Sequence, residues 1–325
     1  MKLLISLLLL LHCAISVPAQ TPVFDWAKSW KAASNALGIL SMQVDDKGAA
    51  YFTGIFKGTR DFDPGPGVFK LTATPGTFLE DSFDVFIVKL DASGHFVWAK
   101  SLSGPYNDMA FSLALDRDRN VYTVGTFCAT VDFDPGAGTF PLVAADTQSL
   151  YISKIDQDGN FVWAQTIGKR NLARLVNISK DSFLYVSGNA PDTTDIDPGP
   201  GVHMLNGAGP YVLKLDLDGH FIRAAKLGSG KNFLICATVD RTGNFYTGGR
   251  LSGSSDFDPD HGGYIVASNN AYLTKYDDTG KLLWIRELEG KTSLSGSWVT
   301  AVSSDSAQNL YASGSFFGTI DFDPG

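Results

Sequence analysis

Asp-x-Asp-Pro occurs five times, as Asp61-Phe62-Asp63-Pro64-Gly65, Asp132-Phe133-Asp134-Pro135-Gly136, Asp195-Ile196-Asp197-Pro198-Gly199, Asp256-Phe257-Asp258-Pro259-Asp260 and Asp321-Phe322-Asp323-Pro324-Gly325. Successive copies are 71, 63, 61 and 65 residues apart. A period of that length is one supersecondary unit copied in tandem, and such units bury their apolar faces by stacking on their neighbours. The chain must therefore fold as a series of like modules.

Residues 109–167 show what one module contains. A weakly alternating stretch over 109–116 ends in a turn at 116–120, and the β-branched and aromatic run 121–127 reads as a second strand. After the Asp132 motif come a loop, a strand over 151–156, the turn signal Asp158-Gly159 and a strand over 160–167. Four antiparallel strands with no helical periodicity make the blade of a β-propeller. The fold expected is all-β, a propeller of four-stranded blades of about 61–71 residues. Blades are expected at 36–102, 109–167, 172–227 and 232–288, with a partial blade at 297–325.

Spacing sharpens the division between scaffold and loop. Tyr51, Tyr122, Tyr185, Tyr246 and Tyr311 each precede a motif by ten residues, and Gly54, Gly125, Gly188, Gly249 and Gly314 follow those tyrosines by three. Asp91, Asp156, Asp216 and Asp277 precede Trp98, Trp163, Arg223 and Trp284 by seven. Length varies only elsewhere, as exposed loops allow, at 66–82, 137–147, 200–208 and 261–269. The tryptophans read as packing between blades. Glycine inside a strand implies a close approach by another chain segment, expected here from blades crowding toward an axis. Residues 24–29 match residues 96–101, a fourth strand without its first three. Segment 24–30 is therefore expected to be an orphan outer strand that completes the last blade.

The strings GNFVWA after YISKIDQD, and NVYTVGTF before an Asp-Phe element, resemble the bacterial β-propeller repeats called SBBP repeats. The DFDPG version is similar to those of secreted Bacteroidetes proteins. The resemblance covers residues 22–325 and implies an extracellular propeller that is often part of a larger protein. It implies no activity, because such repeats carry no family-wide catalytic residues. The third repeat departs from the pattern, with Arg223 in place of Trp and Ser179 in place of Asp116, and looser packing is expected there.

Residues 1–19 read as a signal peptide: Lys2, an apolar core over 3–11 and the small residues Val17-Pro18-Ala19 before Gln20. That core is too short to span a bilayer. The expected destination is outside the cell or its surface. Cys128 and Cys236 lie in different strand types, which argues against a disulfide. A net charge of −8 with scattered Lys and Arg argues against nucleic acid as partner. Each earlier motif is followed by two more strands and the fifth is not, so the sequence reads as a fragment.

The motif is the obvious site candidate. Residues two apart on an extended segment share a face, so Asp61 and Asp63, Asp132 and Asp134, Asp195 and Asp197, Asp256 and Asp258, and Asp321 and Asp323 present paired carboxylates. Beside turn carbonyls they could ligate calcium, which takes six to eight oxygens. The alternative is structural: the carboxylates accept turn amides, Pro-Gly forms a type II turn and the intervening Phe plugs the gap between blades. The constant spacing favours that alternative. Asp156-Gln157-Asp158-Gly159 and Asp216-Leu217-Asp218-Gly219 resemble the start of an EF-hand loop but lack its downstream Glu, so they read as hairpin turns. His95 and His220 share a slot with Asn160 and Lys281, which no metal or acid–base site would tolerate. KYDDTGKLLW at 275–284 resembles the tryptophan-docking repeat of PQQ-dependent dehydrogenases, which would imply a quinone cofactor. The leading expectation is a non-catalytic binding or scaffold propeller without cofactor, for an extracellular polymer or surface protein. A dehydrogenase of that kind and a structural spacer are the alternatives.

Overall fold

A computed structural model describes residues 24–30, 37–76, 82–169, 172–230, 232–290, 296–305 and 307–323. The signal-peptide segment and part of the 66–82 loop lie outside them. Each of the first four repeats contributes six strands. In the first these are β1 Leu37–Val44, β2 Ala50–Phe56, β3 Thr59–Asp61, β4 Lys70–Thr72, β5 Asp84–Leu90 and β6 Phe96–Leu102. The second has β7 Met109–Leu115, β8 Val121–Phe127, β9 Thr130–Asp132, β10 Pro141–Val143, β11 Ser149–Ile155 and β12 Phe161–Lys169. The third has β13 Leu172–Ile178, β14 Leu184–Ala190, β15 Thr194–Asp195, β16 Met204–Leu205, β17 Gly209–Leu215 and β18 Phe221–Lys226. The fourth has β19 Asn232–Val239, β20 Phe245–Leu251, β21 Gly253–Asp256, β22 Ile265–Ser268, β23 Ala271–Tyr276 and β24 Leu282–Leu288. β25 Gly296–Ser304 and β26 Leu310–Phe317 open a fifth.

Four antiparallel sheets of four strands result, ordered β1-β2-β5-β6, β7-β8-β11-β12, β13-β14-β17-β18 and β19-β20-β23-β24. The chain is all-β and propeller-like. The two middle strands of a blade are covered on both faces: every residue of β8 and of β11 is buried. That is why VYTVGTF and SLYISKI read as nearly continuous apolar or small-residue runs rather than alternating ones. The fourth strands are edges, and each bulges where it pairs with the third, at Val97, Val162, Ile222 and Leu283. A bulge makes an exposed edge a poor template for further pairing.

The remaining strands correct the loop expectation. β3–β4, β9–β10, β15–β16 and β21–β22 are small separate hairpins inserted between the second and third strands of each blade. Residues after the motif thus return as the second arm of a hairpin instead of forming a free loop. The glycine row is also explained differently. A Cβ on Gly54, Gly125, Gly249 or Gly314 would land on the carbonyl oxygen of Gly38, Met109, Phe233 or Trp298. These carbonyls belong to the first strand of the same blade, next to the bulges at 39–41, 110–112, 234–236 and 299–301. The close approach is within a blade, not between blades.

The core lies in the seams. One cluster joins Tyr51, Val85 and Ile87 of the first blade to Leu113, Val121 and Phe133 of the second, and another joins Val124 and Ile152 to Val186 and Leu213 of the third. The first three seams are each also pinned by a polar arrangement. The Trp98 indole donates to the Gln157 carbonyl (3.1 Å) and the Trp163 indole to the Leu217 carbonyl (3.3 Å), in the third-to-fourth-strand turn of the next blade. Lys89 and Lys154 donate to the same two carbonyls while lying 5.0 and 5.1 Å from the rings of Tyr51 and Tyr122. Arg223 makes the equivalent bond to Asp278 O at 2.9 Å, with Lys214 at 4.0 Å from the Asp278 carboxylate. The seam after the third blade therefore keeps the polar contact that the missing Trp would have made.

Residues 24–30 form no strand. They lie against the first blade, where the Trp26 indole donates to Ala92 O and the Trp30 indole to Phe62 O, both at 2.9 Å. Ala92 occupies the turn position of Gln157 and Leu217, so Trp26 does for the first blade what Trp98 does for the second.

Candidate functional site

The motif sits at the tip of the inserted hairpin, and its geometry is nearly invariant. Asp61 Oδ1 accepts the amides of Asp63 (3.1 Å) and Phe69 (2.8 Å). Asp132 Oδ1 accepts those of Asp134 and Phe140, Asp195 Oδ1 those of Asp197 and His203, and Asp256 Oδ1 those of Asp258 and Tyr264. Asp321 Oδ1 accepts the Asp323 amide at 3.0 Å. The second carboxylate closes the tip: Asp63, Asp134 and Asp197 each accept the amide two residues on, at Gly65, Gly136 and Gly199. Those glycines are absent from the residues with positive φ, so the tip is an Asp-closed turn and not the expected type II turn. A second glycine is needed two positions later, because a Cβ at Gly67, Gly138 or Gly201 would collide with the second oxygen of that carboxylate.

The residue between the carboxylates points inward. Phe62, Phe133, Ile196 and Phe257 are fully buried. Phe133 meets Phe127 edge-on at 5.3 Å and Tyr151 at 4.8 Å. In the fourth repeat Asp258 departs from the pattern and pairs with the His261 ring at 2.9 Å.

The other repeated acids are turn acceptors too. Asp91, Asp156, Asp216 and Asp277 each take two amides of the third-to-fourth-strand turn. The His95 amide, and then its ring, hold the Asp91 carboxyl below the usual range. His95, Asn160 and His220 fill one slot because each side chain reaches the second oxygen of its Asp. Cys128 and Cys236 are free thiols. Among the described residues no group of three or more His, Cys, Asp or Glu could hold a metal ion, and no helix is long and apolar enough to cross a membrane.

At the third and fifth motifs, solvent enters a groove between the motif segment and the outer strand of the preceding blade. One, of about 600 Å³, is lined by Asp146, Thr166, Asp192, Thr193, Asp195 and Asp197. Two blades further on, a groove of about 520 Å³ is lined by Tyr264, Arg286, Glu287, Glu289, Asp321 and Asp323. Both are acidic.

Two groups escaped the sequence reading. The lysine row Lys89, Lys154, Lys214 and Lys275 stands two residues before each turn Asp, a constant spacing that could have been seen. Asp84 and Asp108 carry no such signal. They are 0 % and 1 % exposed and lie at the seam between the first two blades, where the Asp108 amide donates to Phe83 O.

No protein-family model matches the chain. Residues of the chain are 25% identical over 115 residues to the uncharacterized WD repeat-containing protein L264 of Acanthamoeba polyphaga mimivirus, covering 34% of this chain and 8% of that protein. They are 23% identical over 186 residues to the regulatory protein FlaEY of Caulobacter vibrioides, covering 55% and 19%. The chain thus spans less than a fifth of either relative. Among solved structures, a gluconolactonase from Xanthomonas campestris superposes with a TM-score of 0.39 at 16% identity, over 71% of this chain and 65% of that one. The WD40 domain of Neurospora crassa Pan2 superposes at 0.34 and 8% identity, over 85% and 88%.

Proposed function

We propose that the chain is a secreted, non-catalytic propeller module of SBBP type that binds or displays an extracellular polymer or surface protein. The observation that carries this reading is the commitment of the repeated acids to their own turns, in the same way from blade to blade. Catalysis needs unlike groups converging on one accessible point, whereas these carboxylates are like groups spread over successive blades. Asp84 and Asp108, which also break the symmetry, are sealed from solvent. The acidic grooves beside the motifs favour a partner rich in basic or hydroxyl groups, bound at several seams at once so that weak contacts add. Binding of the mature chain to immobilised polysaccharides and basic proteins should weaken with added salt and with Asp192→Asn. Binding indifferent to both, or a hydrolase or dehydrogenase activity in residues 20–325, refutes the reading.

Segment 24–30 belongs to the same proposal. Its Trp26 contact copies that of an outer strand, which supports the reading that it fills the place of a neighbouring blade's outer strand and closes the ring. Amide protection over 24–30 comparable to that of Phe96–Leu102 is expected; free exchange there refutes closure.

A further inference from the structure

Asp84 opens the third strand of the first blade, and Asp108 directly precedes the first strand of the second. The chain crosses from one blade to the next between them, and the Asp108 amide closes the crossing by donating to Phe83 O at 2.8 Å. Both side chains are buried, and both carboxylates lie beside Gly104 of the crossing segment, whose amide favours their charged forms. Asp84 also takes the Thr74 amide at 2.6 Å and the Ser103 side chain, and Asp108 takes the Cys128 amide at 3.0 Å. One oxygen of each, Asp84 Oδ1 and Asp108 Oδ2, has no partner. Gly104 permits the approach, since a Cβ there would lie 2.8 Å from Asp108 Oδ2.

The other seams lack this pair. By strand register the position of Asp84 is Ser149, Gly209 and Asn270 in the following blades. The position of Asp108 is Asn232 in the fourth blade and Ser297 in the fifth. Two unscreened carboxylates in one dry crossing cannot both stay ionised.

We propose that Asp84 and Asp108 share one proton, which locks the seam between the first and second blades and makes that seam pH-sensitive. Asp84, with the larger set of donors, holds the negative charge, and Asp108 Oδ2 carries the proton. Burial pushes the Asp108 carboxyl up to about 8, with the charge of Asp84 adding to the shift, and burial pushes Asp84 up to about 6. The other titratable groups that Asp108 acts on are the Cys128 thiol and the Tyr151 hydroxyl, both raised chiefly by burial and hence neutral across this range. Lys57 lies over the Phe83 ring at 5.7 Å. The folded chain keeps a proton that the unfolded chain releases above about pH 4. Stability from this source is therefore full below that pH and is lost as pH rises through the folded values.

The test is the melting temperature of the mature chain from pH 5 to pH 9, for the wild type and for Asp108→Asn and Asp84→Asn. The wild type should lose several degrees across the range, and Asp108→Asn should flatten the loss, matching the wild type at pH 5 and exceeding it at pH 9. An infrared difference spectrum of the wild type at pH 7 should show one protonated buried carboxyl, a readout that needs no variant. An unchanged slope in both variants, or no protonated carboxyl at pH 7, overturns the proposal. So does a calcium-dependent rise in melting temperature that Asp108→Asn abolishes, which would make the pair a cation site.

Discussion

Replacing Asp132 separates a turn acceptor from a calcium ligand. Its Oδ1 accepts two amides, from Asp134 at 3.0 Å and Phe140 at 2.8 Å, which tie the hairpin tip to its returning arm. A hydrogen bond to a charged group contributes about 1.5–3 kcal/mol net. Asp132 is half-buried, so solvent screens its charge and rehydrates part of what is lost. Asp132→Ala should therefore cost about 2–3 kcal/mol. Asp132→Asn keeps an acceptor oxygen in place at roughly half the strength, and should cost about 1 kcal/mol. Urea unfolding followed by tryptophan fluorescence, with calcium and with a chelator, measures both variants and the wild type. The turn-acceptor argument requires Asn to fall well short of Ala, with no effect of chelator on the wild type. If Asn and Ala cost the same, or if chelator alone destabilises the wild type by a comparable amount, the carboxylate is serving a cation and the argument is wrong.

Two more substitutions probe the scaffold. Arg223→Ala removes the bond to Asp278 O and should cost about 1 kcal/mol by chemical denaturation, whereas Arg223→Trp restores the side chain of the other seams and should be close to neutral. Gly125→Ala drives a Cβ onto the Met109 carbonyl and should destabilise by more than the about 1 kcal/mol typical of point substitutions, while Val143→Ala on an exposed arm should change stability by less than about 0.5 kcal/mol.

The seams show why some of this was legible and some was not. Residues that repeat announce themselves by spacing, so the sequence alone places the tyrosine, tryptophan and turn-Asp rows on strands and turns. The direction of a repeated side chain is less accessible. Paired carboxylates two residues apart look like a metal site until the amides of Phe69 and Phe140 are seen to arrive from eight residues downstream. Glycine within a strand implies a close approach, but only the bulge shows that the partner of Gly54, Gly125, Gly249 and Gly314 is a carbonyl of the same sheet. Arg223 looked like a packing defect because spacing reports residue type, not which atom satisfies the Asp278 carbonyl.

The order of strands, their grouping into blades and the residues that face inward follow from local propensity and from the period of the repeat, because these depend on neighbours a few positions away along the chain. The sealing of Asp84 against Asp108 is different in kind. It is a non-repeated event, created where one blade closes on the next, and its energy comes from removing water that surrounds both side chains in the open chain. Only the tertiary structure removes that water, so only the tertiary structure could bring these two carboxylates to a state in which one of them holds a proton.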